Sequence, residues 1–480
     1  MLNKSYRRAN DKSVFIALEG VADKGESMYQ KNVWEGISEE KKQAIFAFNE
    51  GYKAFLSAAK TERLAVKESE KLAKKAGFKR FDEYKKLAAG DKVYFINRDK
   101  NIILYIIGKK PLEEGMNVLG AHIDSPRLDL KQNPLYECKG MAFMDTHYYG
   151  GVKKYQYVTL PLALHGVVYK KDGTKVEIAV GENDDEPVLG INDLLPHLAQ
   201  EQMKGNAATF IEGEKLDLTV GSIPMEGDEK EAVKANVLKI LTDKYGIDEE
   251  DLVSAEIEVV PAGKARDFGL DRSMVMSYGQ DDRVCAYASL IAILETEAPE
   301  YTACCELVDK EEIGSVGATG AHSVFFENTV AELLNKMGRT DYIALKRAME
   351  NSKMLSSDVS AALDPLYPSV SDENNCAKIN YGVVFNKYTG ARGKSGANDA
   401  MPEFIAYLRK LLDDEDIYFQ TGELGKVDAG GGGTIAYILA KYNMSVIDAG
   451  VPVLSMHAPW EVTAKADVYE AYRCYKAFVK

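Results

Sequence analysis

From residue 38 onward the chain alternates between two textures. Between 38 and 90 apolar positions recur at helical spacing, with Ile45, Phe48, Tyr52, Phe55, Leu56 and Ala59 on one stripe and mostly polar residues elsewhere. Gly77 and Gly90 fall where such segments would end. From Lys92 to Gly108 the period becomes that of strands, as two apolar runs around the polar turn Arg98-Asp99-Lys100. Met116–Ala121 predicts another strand with His122 at its carboxyl end. In open α/β sheets, ligand-binding groups gather there.

After Leu130 the texture changes. Residues 131–264 are richer in turns, with polar loops such as Glu182-Asn183-Asp184-Asp185-Glu186-Pro187 between short strands, and they predict an inserted β-rich domain. The α/β pattern resumes near Leu270. Val284–Glu295 predicts a helix and Tyr301–Val308 a buried strand. Further strands are expected at Ala377–Phe385 and Val451–Met456, and helices at Met401–Leu412, Thr434–Lys441 and Val468–Val479. The predicted class is α/β, a mixed sheet flanked by helices. Residues 1–130 and 265–480 would form one discontinuous catalytic domain, with 131–264 inserted between them.

At 480 residues the chain exceeds one ordinary core. Its 46% hydrophobic and 28% charged residues are those of a soluble globular protein. No apolar run approaches the roughly 20 residues needed to span a bilayer. The basic start is followed by Val14–Leu18, broken at once by Glu19, which does not read as a signal peptide, so a cytoplasmic location is expected. A net charge of −14 argues against nucleic-acid and membrane partners. The six cysteines form no CxxC pair and are expected as buried, reduced thiols.

The chemistry lies in five segments. They are Gly120-Ala121-His122-Ile123-Asp124-Ser125, Gly279-Gln280-Asp281-Asp282-Arg283, Asp309-Lys310-Glu311-Glu312-Ile313-Gly314, Ser356-Ser357-Asp358 and Leu454-Ser455-Met456-His457-Ala458-Pro459. A two-metal hydrolase needs imidazole and carboxylate ligands, a bridging carboxylate, and a spare carboxylate to deprotonate water. This ordered set offers all of them. His122 and Asp124, two apart on an extended strand, would point the same way, so Asp124 could accept a hydrogen bond from the ring. Glu311 and Glu312 cannot both face inward along a strand and must sit in the turn before Gly314.

The ordered set resembles the aspartyl aminopeptidase family of zinc metallopeptidases, its vacuolar branch included, and Asp428-Ala429-Gly430-Gly431-Gly432-Gly433-Thr434 fits as well. The resemblance implies a zinc-exopeptidase fold that releases N-terminal residues from peptides, acidic ones preferred, with neutral or broad specificity as the alternative. It implies two zinc ions per subunit, replaceable by cobalt or manganese, with His122, Asp281, Glu312, Asp358 and His457 as ligands. Asp281 would bridge, across a cis peptide to Asp282. One provisional allotment groups His122 with Glu312 and Asp358 with His457, but sequence leaves the pairing open. Glu311 would be the general base, and Asp124, the partner of the His122 ring, counts with it among the catalytic residues. His197 matches a position whose histidine reaches a neighbouring subunit's site to stabilise the oxyanion; a third zinc ligand is the other option. Lys394 lies near the segment lining the substrate pocket and could pair with an acidic side chain. A homo-oligomer, a tetrahedral dodecamer, is implied too. Where the family has a histidine-rich stretch after Asp358, this chain has Ser-Ala-Ala-Leu-Asp. Two rivals remain: another two-metal hydrolase, such as a phosphatase or deacylase, and a catalytically idle assembly protein.

Overall fold

A computed structural model describes residues 27–227, 230–392 and 396–480. Its largest sheet orders nine strands as Lys79–Arg80, Lys92–Asn97, Asn101–Ile106, Thr302–Val308, Met116–His122, Lys353–Ser356, Ser445–Gly450, Val383–Asn386 and Phe419–Thr421. The strands at its centre are buried on both faces, so successive residues feed two cores. Leu119, Ala121, Cys305 and Leu307 face the helices Glu39–Ala58, Gln280–Leu294 and Lys465–Val479. Val118, Cys304 and Val308 face Phe325–Lys336, Tyr342–Glu350 and Ala436–Ala440. Ser38 caps the first helix by accepting from Lys41 N at 3.2 Å, and Thr61 caps Glu62–Lys75 through Leu64 N.

A second sheet of six strands runs from Arg127–Cys138 to Ala255–Pro261 and closes over its own core, which includes Leu128, Leu164, Leu218 and Val259. It begins at Arg127, four residues before the change of texture. This region is not β alone. Ala232–Tyr245 is a helix that buries Val233 and Val237 against the sheet and ends at Gly246. A third sheet pairs Arg266–Phe268, Met274–Ser277, Glu461–Ala464, Pro452–Leu454 and Ser360–Ala361.

Several boundaries differ from the sequence reading. Residues 79–90 are not helical but form a two-residue strand, a 3-10 turn and a loop. The expected strand Ala377–Phe385 shortens to Val383–Asn386, because Asn380 turns at φ 69° and the Asp467 carboxylate takes the Asn380 and Gly382 N–H groups, each at 2.7 Å. Val451–Met456 is not one strand of the main sheet. Ser445–Gly450 belongs there, and Pro452–Leu454 crosses into the third sheet. The chain passes so close to Asp358 at Gly450 that a Cβ would stand 1.7 Å from the Asp358 carbonyl oxygen. Cys138 is exposed, while the other five cysteines are buried free thiols.

Candidate active site

Four adjacent parallel strands end at one edge of the main sheet. Val308 registers with His122 and Ser356 with Gly120, so the segments following these strands converge. Glu311 and Glu312 occupy one 3-10 turn, Glu311–Ile313, whose N–H groups donate to Asp124 Oδ1 and Oδ2 at 3.2 Å each. Asp281 and Asp282 stand at the start of the helix Gln280–Leu294 with non-helical backbone and a cis peptide between them. His457 follows the third sheet's strand Pro452–Leu454. The buried Glu461 ties these last pieces together, accepting from Gln280 N at 2.6 Å, Asp281 N at 3.1 Å and His457 N at 2.8 Å.

His122 Nε2 lies 3.2 Å from Asp281 Oδ1 and 3.8 Å from Asp358 Oδ1. His457 Nε2 lies 3.3 Å from Asp281 Oδ2 and 3.6 Å from Glu312 Oε1. These distances set Asp358 nearer His122 and Glu312 nearer His457, unlike the provisional allotment, although Glu311 and Glu312 also bring oxygens within 4.8 Å of a His122 nitrogen. Asp282 also brings an oxygen into reach of His122 and Asp358, all within 4.8 Å of one another. The His122 ring turns its other nitrogen toward Asp124. Its Nδ1 is 3.0 Å from the Asp124 backbone carbonyl and 3.4 Å from the carboxylate. The carboxylate stays beside the ring and also accepts from the turn N–H groups.

Charge balance tests whether a metal suits these donors. Burial drives Glu312 and Asp358 well above the usual carboxylate range, with Asp281 adding to the shift at Glu312 and Asp282 at Asp358. Burial likewise lifts Glu311 to about 7. His457 moves the other way for a base: burial would lower it, but Asp281 and Glu312 raise it to about 10. Glu312 Oε1 is buried without a hydrogen-bond partner. The carboxylates are therefore crowded around too little positive charge, a deficit that dications would fill, and imidazole with carboxylate is a donor set that zinc accepts.

The site opens into a cavity of about 860 Å³. His122, Asp281, Glu311, Glu312, Asp358 and His457 share its wall with Lys153, Tyr155, Asp364, Arg392, Glu423 and the glycines 430–433. His197 is exposed and is not among the lining residues, which removes the third-ligand option within its own chain. Lys394 lies outside the described residues. Glu461, Tyr149 and Gly151, which meets the His457 ring, had no sequence signal: each is a common residue at an ordinary turn or strand position.

The fold and donor set define an α/β metallohydrolase. The chain belongs to the aminopeptidase I zinc metalloprotease (M18) family, which it matches over residues 55–479, and it is a metalloaminopeptidase. A probable M18 family aminopeptidase 1 from Clostridium acetobutylicum is 57% identical over 454 residues, covering 94% of this chain and 98% of the relative. The crystal structure of an M18 aminopeptidase from Thermotoga maritima aligns with a TM-score of 0.91 at 46% identity, covering 94% of this chain and 99% of that one. The yeast (S. cerevisiae) mApe1 dodecamer aligns with a TM-score of 0.73 at 21% identity, covering 92% and 97%, a likeness of fold alone. Among the described residues no helix is long and apolar enough to cross a membrane.

Proposed function

We propose that this aminopeptidase works with two ions per subunit, zinc natively and cobalt or manganese as substitutes. His122 and Asp358 would hold one ion, Glu312 and His457 the other, and Asp281 both. The observation that carries this reading is the pair of imidazole nitrogens on opposite oxygens of Asp281. When bound, the ions supply Lewis acidity to the scissile carbonyl and acidify a water beside it. Glu311 takes that water's proton and returns it to the leaving amine. Asp124 holds the turn bearing Glu311 in place through its two backbone hydrogen bonds. The partner subunit's His197 donates to the developing oxyanion.

The substrates are peptides in the cytoplasm, with no nucleic-acid or membrane partner. Lys394, two residues after the cavity residue Arg392 in the sequence, would receive an acidic N-terminal side chain. Asp364 and Glu423 in the same wall favour the second reading, neutral or broad specificity. The region 131–264 is the oligomerisation domain. Leu194, Leu195, Leu198 and Met203, all at least half exposed around His197, form an apolar face that a second copy would cover. The assembly is a dodecamer, the state for which the yeast structure is named, and its arrangement is tetrahedral.

A panel of aminoacyl chromogenic substrates, assayed with added zinc, cobalt or manganese, tests this. Faster release of aspartate and glutamate than of leucine or lysine supports the acidic preference. Equal rates select the second reading, and no hydrolysis with any metal overturns the mechanism.

A further inference from the structure

The segment Tyr149-Gly150-Gly151 of the second sheet runs through the site without supplying any group to the donor set. Tyr149 ends the strand Met141–Tyr149 and registers with Arg127 on the neighbouring strand. Its hydroxyl donates to Asp124 Oδ2 at 2.9 Å, the carboxylate that also holds the Glu311 and Glu312 N–H groups. The ring is clamped, because the Arg127 guanidinium lies 3.9 Å from its centroid. Arg127 is itself buried against Asp129 at 2.8 Å, Glu258 at 3.2 Å and Glu62 at 3.5 Å. The hydroxyl therefore has little freedom to leave Asp124.

Two residues on, the Gly151 carbonyl oxygen lies 2.9 Å from His457 Nδ1. The ring donates its Nδ1–H there and presents Nε2 to Asp281 and Glu312. The absence of side chains eases this approach, since added Cβ atoms would sit in tight contact with the site. A Cβ at Gly150 would stand 3.3 Å from Glu312 Cβ and Oε2, and one at Gly151 would stand 3.3 Å from His457 Nδ1.

We infer that Tyr149-Gly150-Gly151 is a positioning element of the aminopeptidase reaction. Through it the inserted domain sets the turn that carries Glu311 and Glu312 and selects the ring nitrogen that His457 offers. The inference rests on the roles proposed above for those residues.

Two variants test it against simple packing. Tyr149→Phe keeps the ring over Arg127 and removes only the hydroxyl. Loss of a hydrogen bond to a charged group should lower kcat roughly 10-fold or more, with KM changed less than about threefold. Zinc content and Tm should stay near wild type. Gly151 has no positive φ, so Gly151→Ala acts by crowding His457 rather than by backbone strain. Competition with a chelator should then show zinc affinity reduced roughly 10-fold or more, as for other partners that orient a ligand.

Wild-type kcat in Tyr149→Phe together with wild-type zinc affinity in Gly151→Ala overturns the inference while leaving the enzyme reading intact. Parallel losses of Tm and rising KM in Tyr149→Phe would mean a general packing role and also overturn it. Should Gly151→Ala not fold, wild-type kcat in Tyr149→Phe decides against it alone. An inactive wild-type enzyme across the substrate panel overturns it together with the reading it rests on.

Discussion

His122 and His457 aim their Nε2 atoms at opposite oxygens of one carboxylate, Asp281, at 3.2 and 3.3 Å. With Asp358 beside the first ring and Glu312 beside the second, the site divides into two halves that share one bridge. His122→Ala and Asp358→Asn should therefore lose the same ion, and His457→Ala and Glu312→Gln the other. Each of the four should keep about one ion per chain, while Asp281→Asn should keep almost none. Metal analysis, with anomalous diffraction to locate the ion that stays, checks the pairing. A full metal complement in either histidine variant would show that the donor set is wrong.

Glu311 has a different task from its neighbour. Glu311→Gln should retain both ions and cut turnover roughly 100-fold or more, because it removes proton transfer without removing a ligand. Metal content measured beside steady-state kinetics separates the two effects. Near-normal turnover at full metal content would sink the assignment.

The readable part of this site is the part written along strands. Apolar runs ending in His122 and before Glu311-Glu312 predict groups at strand ends, and the parallel register brings them together with Asp358, whose strand Lys353–Ser356 is not among those predicted. His457 was harder, since its strand leaves the main sheet at Gly450 and joins another. Pairing was not legible at all, because it depends on which oxygen of Asp281 each imidazole faces. Glu461 reads as one more acidic residue in a strand; only the fold brings three N–H groups to it. Tyr149-Gly150-Gly151 reads as the end of a hairpin for the same reason. The helix Ala232–Tyr245 was hidden by the turn-rich segments around it, although Val233, Val237 and Leu241 carry its period.

Glu306 gives the chain a pH-dependent stability away from the site. It lies within the strand Thr302–Val308, and its Oε2 has no hydrogen-bond partner. Burial raises its pKa from 4.5 to about 8, which the Lys441 charge offsets only in part. The folded state thus prefers the protonated acid. Below about 4.5 both states hold the proton and nothing is lost; as pH rises toward 8 the unfolded chain ionises first and stability falls. Glu306→Gln cannot ionise, so its Tm should fall less than that of wild type between pH 5 and 8, and the variant should melt higher at pH 8. Identical pH slopes in differential scanning calorimetry would refute the assignment.

The last prediction concerns assembly. His197 is exposed, stands apart from the cavity of its own chain, and is surrounded by the exposed Leu194, Leu195 and Leu198. If that face packs against a second copy, His197 completes the partner's site rather than its own. His197→Phe should keep metal content and the oligomer, and should lower turnover roughly 100-fold, comparable to losing one oxyanion donor. Mixing subunits discriminates further. Chains carrying His197→Phe, reassembled with chains carrying Glu311→Gln, should recover activity, because some sites then combine Glu311 from one chain with His197 from another. Verified mixed oligomers that stay inactive would mean that His197 serves its own subunit or has no part in the reaction.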